Sequence, residues 1–150
     1  MLREDLQNSL KEAMKNKDMK TVGAIRLIIA GQKEKDVEAR GKGLEKASDA
    51  DLLSMMQTMI KQRNESVKIY TESNRPDLAE KEQAEIEVIN RFLPKQMDAA
   101  EIDEAIKAAI AETGAAGIRD IGKVMGALKA KYAGKMDFGA ASAAIKKFLA

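Results

Sequence analysis

The fold is decided by residues 59–93, which read MIKQRNESVKIYTESNRPDLAEKEQAEIEVINRFL. Apolar residues recur here every three or four positions, a spacing that predicts one amphipathic helix over residues 48–73 and another over residues 76–93. The connection at residues 73–76 is short enough to fold the second helix back antiparallel to the first. This segment therefore predicts a helical hairpin, against which other helices pack.

Charged residues interrupt both apolar stripes of the predicted hairpin. Arg63 lies at the centre of the first stripe, and Glu82 and Glu85 lie on the second, one helical turn apart. Because one guanidinium can donate to two carboxylates, we predict a buried structural clasp of Arg63, Arg75, Glu82 and Glu85 that fixes the hairpin register. The alternative is a site in which the carboxylates act as acid and base or bind a divalent ion, with arginine holding an anion.

Composition predicts an all-α protein without the common catalytic side chains. Aromatic residues make up 3% of the chain, proline occurs twice, and no run of alternating β-branched residues suggests a strand. Cysteine and histidine are both absent. Thiol nucleophiles, Ser-His-Asp arrangements, imidazole catalysis and the usual zinc sites are therefore excluded. We expect no catalytic residues, no cofactor and no metal.

A domain boundary is predicted at Pro94. Residues 1–94 contain about four predicted helices and carry 17 basic and 17 acidic side chains. Beyond the proline the chain becomes rich in alanine, and Asp98 with Glu101 forms a helix-capping signal. We therefore predict an N-terminal helical domain over residues 1–94, joined to a C-terminal three-helix bundle over residues 95–150.

Residues 114–150 are strongly basic, with seven basic and two acidic side chains. Such a segment can bind phosphates, because each neutralised phosphate releases counterions. Four lysines are expected on the outer faces of its helices and are our candidate RNA-binding residues: Lys123, Lys131, Lys146 and Lys147. The alternative is that these charges form only a solvated surface.

Base stacking is not expected in this segment. Its three aromatic residues, Tyr132, Phe138 and Phe148, occupy positions that the helical periodicity assigns to the core. Any affinity for RNA would therefore come from charge and would not distinguish one base from another.

The amino terminus and the lack of cysteine indicate a cytoplasmic location. Residues 1–5 already read as an amphipathic helix and lack an apolar signal core. No apolar run is long enough to cross a bilayer, so membrane association is not expected.

Five stretches of the chain resemble the YqeY-like family, also called the GatB/YqeY domain proteins. The likeness is carried by residues 21–29, 61–66, 74–85, 92–97 and 121–126. The central block is specific, because it combines charged residues at helix-core positions with the Leu-Pro-x-Gln boundary at residues 93–96. Two positions depart from the family pattern, Gly126 and Phe138.

The resemblance implies a helical first domain and a second domain similar to the tail of the GatB protein of the tRNA-dependent Asp/Glu amidotransferase, which helps that enzyme hold tRNA. It does not imply the reaction, because activation of the acyl-tRNA carboxylate and handling of ammonia belong to other parts of that enzyme. The expected function is therefore a non-catalytic RNA-binding or adaptor module in tRNA or aminoacyl-tRNA metabolism. Two alternatives remain: participation in glutamine-dependent carbon–nitrogen ligation, and a protein–protein adaptor role.

Overall fold

The computed structural model describes all residues 1–150 and contains helices without any β-strand, so the protein is all-α as predicted. None of the helices combines the length and the apolar composition that crossing a bilayer requires. The helices are α1 (Leu2–Lys15), α2 (Met19–Gly41), α3 (Asp49–Glu72), α4 (Pro76–Asn90), α5 (Ala99–Thr113), α6 (Ile121–Tyr132) and α7 (Phe138–Leu149), with a 3-10 turn at Ile118–Asp120.

The helices form two compact units, Met1–Pro94 and Lys95–Ala150. In the first unit α2 packs against α1 and α4, and α3 packs along α4 more extensively than any other pair of helices. The side chains at the centre of this core are fully buried: Leu6, Ile25, Ile28, Leu52, Met56 and Ile89.

The α3–α4 hairpin has the local structure that its sequence predicts. Ser48 Oγ accepts a hydrogen bond from the Asp51 backbone N–H at 3.1 Å, and the Asp51 carboxylate accepts from the Ser48 N–H at 3.3 Å. This reciprocal capping begins α3. Pro76 is the first residue of α4, where its missing N–H costs no helical hydrogen bond.

Helix α4 ends at Asn90, three residues before the predicted end. Phe92 N–H donates to the Ile89 carbonyl at 3.1 Å, and Leu93 N–H donates to the Asn90 carbonyl at 3.3 Å. These shorter-range bonds tighten the chain into a turn because Pro94 disfavours helical geometry at the residue before it.

An interaction that the sequence did not reveal fixes α1 to α2 and to the segment before α3. The Arg3 guanidinium donates to both Asp36 carboxylate oxygens at 2.8 and 2.7 Å and to the Ala47 carbonyl at 2.8 Å. Asp36 also accepts from the Ala47 N–H at 2.9 Å. These bonds lower the pKa of Asp36 to about 2, with the Arg3 hydrogen bond as the largest cause. They therefore join three parts of the first unit.

The second unit packs α5, α6 and α7 around a separate core. Its fully buried side chains are Ile106, Val124, Leu128, Met136, Ala141 and Ile145. The spacing of apolar residues alone would allow one helix from Ile118 to Tyr132, but the structure has a 3-10 turn before α6. The Asp120 carboxylate accepts from the Ala116 N–H at 3.0 Å, which holds this tighter geometry.

Gln96 of the Leu-Pro-x-Gln segment has a structural role in the second unit. Its amide Nε2 donates to the Gly134 carbonyl at 2.6 Å, and the next residue, Met97, donates its N–H to the Lys135 carbonyl at 2.9 Å. Gly134 is buried and has a φ of +77°, which favours glycine. Both bonds fix the chain before α5 to the α6–α7 turn.

Candidate nucleic-acid interface

Lys123 on α6 is open to solvent. Its side chain is 67% exposed, and its ammonium lies 3.8 Å from the Asp120 carboxylate. The Asp120 carboxylate accepts from the Ala116 N–H, which is the main reason that its pKa is lowered. The Lys123–Asp120 contact is long and exposed, so Lys123 is available to bind an external anion.

Lys131, at the other end of α6, already has an anionic partner. Its ammonium donates to the two carboxylate oxygens of Glu112 on α5 at 2.8 and 3.0 Å. The hydrogen bond that Lys131 donates to Glu112 is the largest cause of its raised pKa. Both side chains are about half exposed, so the pair adds little stability, but Glu112 must be displaced or shared before Lys131 binds a phosphate.

Lys146 and Lys147 lie in the last turn of α7 and are exposed. No carboxylate lies within ion-pair distance of either ammonium. Positive charge is favourable at this end of a helix, where backbone carbonyls have no helical partner. Of the four candidate lysines, these two are the least neutralised by the protein itself.

Phe148 is not in the core, contrary to the sequence prediction. Its side chain is 43% exposed, whereas Ile145 on the same helix is fully buried. The Lys107 ammonium lies 5.9 Å from the centre of the Phe148 ring, a cation–π distance. The periodicity is correct for α7 as a whole, but in its last turn Leu149 packs against the core and the Phe148 ring does not. Sequence reasoning also missed Lys107, because its contact joins two helices.

The charges of the second unit are unevenly distributed along the chain. Residues 95–113, which include α5, carry two basic and five acidic side chains, whereas residues 114–150 carry seven and two. The positive charge of this unit therefore comes from residues 114–150, mainly from α6 and α7. The Lys131–Glu112 pair is where the acidic helix neutralises part of it.

The structure brings together Arg63 and Glu85 in the first unit. Arg63 Nε lies 2.8 Å from Glu85 Oε2, and Nη1 of the same guanidinium donates to the Met59 carbonyl at 3.1 Å. The Arg63 and Glu85 side chains are 15% and 18% exposed. This ion pair joins α3 to α4 at the predicted register.

Arg75 and Glu82 do not belong to this cluster, so their part of the predicted clasp is wrong. Arg75 Nε lies 3.3 Å from the Asp77 carboxylate, and both of these side chains are mostly exposed. Asp77 is only two residues away in the first turn of α4, so Arg75 reaches it without crossing the hairpin. Glu82 is half-buried and forms no ion pair. Arg63 and Glu85 alone therefore form the ion pair between α3 and α4.

A groove of about 660 Å³ lies along α2 and α3 in the first unit. Its lining includes two exposed leucines, Leu27 and Leu44, and the sulfur-containing side chains of Met55 and Met59. The helices approach closely at Gly31, where an added Cβ would lie 2.7 Å from Met55 Sδ. Methionine adapts readily to irregular surfaces. Charged and polar side chains, among them Glu34, Lys35 and Asp51, line the rest of the groove, so its surface is mixed and not purely apolar.

Comparison with known proteins identifies the family. The sequence model of the family described as "Yqey-like protein" matches residues 3–149 of this chain. The chain belongs to the Yqey-like family. The match covers both units and bears out the resemblance seen in the five sequence stretches.

Curated relatives of this Yqey-like protein include three yeast proteins named Altered inheritance of mitochondria protein 41, mitochondrial. The one from Candida glabrata is 40% identical over 88 residues, which is 59% of this chain and 47% of the relative. The one from Lachancea thermotolerans is 36% identical over 110 residues, which is 72% of this chain and 57% of the relative. The one from Saccharomyces cerevisiae is 32% identical over 98 residues, which is 65% of this chain and 51% of the relative. The matched part spans about half the length of each relative.

These names contradict the cytoplasmic location predicted for this Yqey-like protein. The relatives are named as mitochondrial proteins, so that prediction is wrong. It rested on the lack of cysteine and of an apolar signal core. Neither feature separates the cytosol from a mitochondrial compartment, because mitochondrial targeting uses amphipathic segments without an apolar core.

Proposed function

We propose that this Yqey-like protein is a non-catalytic RNA-binding module that holds tRNA or aminoacyl-tRNA through α6 and α7. The observation that carries the proposal is the exposure of Lys123, Lys146 and Lys147 in a segment with a large excess of basic residues. Ammonium groups that are open to solvent can neutralise phosphates and release their counterions. Lysine contacts of this kind hold the RNA backbone without reading its sequence.

We further propose that residues 95–150 are a GatB/YqeY-type three-helix domain and that residues 1–94 are a separate helical domain. The family resemblance supports this assignment, because it implies a second domain similar to the tail of the amidotransferase protein GatB. The buried cores of the two units contain different residues, which is consistent with separate folding.

The test is retention of a tRNA transcript on a filter as salt is raised from about 50 to about 300 mM, a range over which phosphate contacts weaken strongly. In the main variant, Lys123, Lys131, Lys146 and Lys147 are all changed to glutamine. The control variant changes four exposed lysines of the first unit, Lys11, Lys33, Lys61 and Lys68, to glutamine. Both variants lose the same net charge, so a difference between them identifies the location of the binding surface.

The parent protein is expected to lose affinity steeply as salt rises. In a plot of log affinity against log salt, each phosphate contact contributes about −0.7 to −0.9 to the slope. The main variant lacks four such contacts, so its slope should be less negative than the parent's by about 3. The control should keep the parent's slope. If the main variant retains tRNA as well as the parent does, the lysines are only a solvated surface and the proposal fails.

The Lys131–Glu112 pair supplies a change in the opposite direction. Glu112→Gln removes the carboxylate that holds the Lys131 ammonium, so tRNA affinity should rise about two- to fivefold at low salt. Asp103→Asn is the matched control, because Asp103 is exposed on the same helix and pairs with no lysine. Equal effects of the two changes would show that Glu112 acts only through net charge.

The protein–protein adaptor is the second candidate, and the groove along α2 and α3 is the observation that favours it. A pulldown with and without nuclease separates it from RNA binding, because a partner bound directly by protein survives nuclease treatment. The carbon–nitrogen ligation alternative predicts glutamine-dependent product formation by the purified protein.

A further inference from the structure

Phe148 presents an aromatic ring to solvent on the most basic part of the chain. Seven residues after the buried Ala141, it lies on the inward side of α7, yet its side chain is 43% exposed. The core of the second unit is closed beneath it by Ile145 and Leu149, and Phe148 does not contribute to that core. Part of its ring is therefore open to solvent, although the Lys107 ammonium lies over it.

Lys107 is positioned by the ring and forms no ion pair. Its ammonium lies 5.9 Å from the ring centre. Asp103 and Glu104 lie one helical turn before it on α5, at spacings that commonly form ion pairs, but Lys107 pairs with neither. A positive charge is thus held beside an exposed aromatic surface.

Two further ammonium groups lie in the same helical turn as Phe148, at positions that do not face the ring. Lys146 and Lys147 immediately precede Phe148, and both are exposed. Single-stranded nucleic acid is typically bound by such a combination, in which bases stack on aromatic rings and cations follow the phosphates. A duplex offers only its phosphates and its grooves, because its bases are already stacked on one another.

We infer that Phe148 is a stacking platform for an unpaired RNA base, with Lys107, Lys146 and Lys147 binding the adjoining phosphates. This inference rests on the proposed RNA binding and adds a preference to it: the second unit binds unpaired nucleotides more tightly than duplex RNA. The three ammonium groups favour a polyanion as the occupant of this surface over an apolar protein segment.

The test uses the full chain and two labelled RNAs of equal length, a single strand and a duplex of about 12 nucleotides, with affinity measured by fluorescence anisotropy. Phe148→Leu keeps an apolar side chain but removes the ring, and Phe148→Tyr keeps the ring. Phe148→Leu should weaken single-strand binding about fivefold or more, with Phe148→Tyr within about twofold of the parent. Lys147→Gln should weaken binding of both RNAs, because it removes only charge. Far-UV circular dichroism verifies that each variant keeps its helicity.

A direct readout of stacking comes from Phe148→Trp, because the parent contains no tryptophan. Fluorescence of the single indole should be quenched by the single strand and unchanged by an abasic strand with the same number of phosphates.

A parent that binds neither RNA would overturn both the proposed function and this inference. If the parent binds RNA but Phe148→Leu affects both RNAs equally, RNA binding stands and the stacking platform is disproved. A protein captured through Phe148 in place of RNA would also disprove it.

Discussion

Arg63 and Arg75 have the same side chain and each pairs with a carboxylate, but their surroundings differ. The Arg63 and Glu85 side chains are 15% and 18% exposed, whereas those of Arg75 and Asp77 are 56% and 66% exposed. Water screens the exposed pair, which contributes little to stability. Removing one member of the less exposed pair leaves a charge that water reaches poorly.

Arg63→Met is therefore expected to lower the free energy of unfolding by about 2 to 3 kcal/mol, because it leaves the Glu85 carboxylate without its partner. The double change Arg63→Met with Glu85→Leu should recover much of this loss. Urea denaturation monitored by circular dichroism measures both. Glu82→Gln is the control on the same helix: Glu82 forms no ion pair, so the effect should stay within about 0.5 kcal/mol. An Arg63→Met protein as stable as the parent would contradict the role of the pair.

The Arg3–Asp36 pair predicts an acid-dependent loss of stability. In the folded protein the pKa of Asp36 is lowered from its ordinary 3.8 to about 2, mainly by the hydrogen bond from Arg3. A lowered pKa means that the pair stabilises the fold fully above the unfolded pKa near 4. The contribution is lost as pH falls from there through 2.

Asp36→Asn tests this prediction by removing the titrating group. The difference in unfolding free energy between parent and variant should be constant from pH 7 to 5 and then shrink by on the order of 1 to 2 kcal/mol between pH 4 and pH 2. Urea denaturation at each pH provides the values. Asp77→Asn is a suitable control, because that carboxylate is exposed. A difference that does not change with pH would contradict the assigned role of Asp36.

At the scale of the elements, three helices end in the same hydrogen-bonded motif with different residues at its left-handed position. The residues are Lys17 after α1, Gly43 after α2 and Asn74 after α3, with φ of 57°, 82° and 57°. After α1, Lys17 N–H donates to the Met14 carbonyl and Asp18 N–H donates to the Ala13 carbonyl. Glycine adopts this conformation without strain because it has no Cβ, whereas the Cβ of lysine crowds the backbone there.

Lys17→Gly is accordingly expected to raise the free energy of unfolding by about 0.5 to 1 kcal/mol, because relief of the left-handed strain exceeds the added entropy of the unfolded chain. The reverse change, Gly43→Lys, should lower it by a similar amount. Thermal and urea denaturation of both proteins give the comparison. The prediction is wrong if Lys17→Gly is the less stable protein.

The sequence predicts elements well where local chemistry decides them. Ser48 with Asp51, Pro76 and Asp98 each begin a helix as predicted. It fails where a contact from elsewhere decides. The Asp120–Ala116 bond, the Lys131–Glu112 pair and the position of Phe148 depend on loop or inter-helix geometry, which a single helical periodicity does not contain. The Arg63–Glu85 register could be predicted, because one short connection joins the two helices. The Arg3–Asp36 bond could not be predicted, because the two residues are 33 positions apart in the sequence.

At the scale of the molecule, the two units have separate buried cores. Residues 95–150 expressed alone should therefore show helical circular dichroism and a cooperative thermal transition. Residues 1–94 expressed alone provide the matched control. A 95–150 fragment that stays unfolded while the full chain is helical would show that this part requires the first unit.

The uneven charge of the second unit has a consequence for the speed of binding. Residues 95–113 are acidic and residues 114–150 are basic, which gives this unit a permanent electric dipole. The electric field of a polyanion orients this dipole so that the basic segment faces the polyanion before the two molecules touch. A larger fraction of diffusional encounters then leads to binding. Charge changes at exposed acidic positions of α5 would therefore alter the association rate constant more than the dissociation rate constant, and the difference would disappear as the Debye length shrinks at high salt.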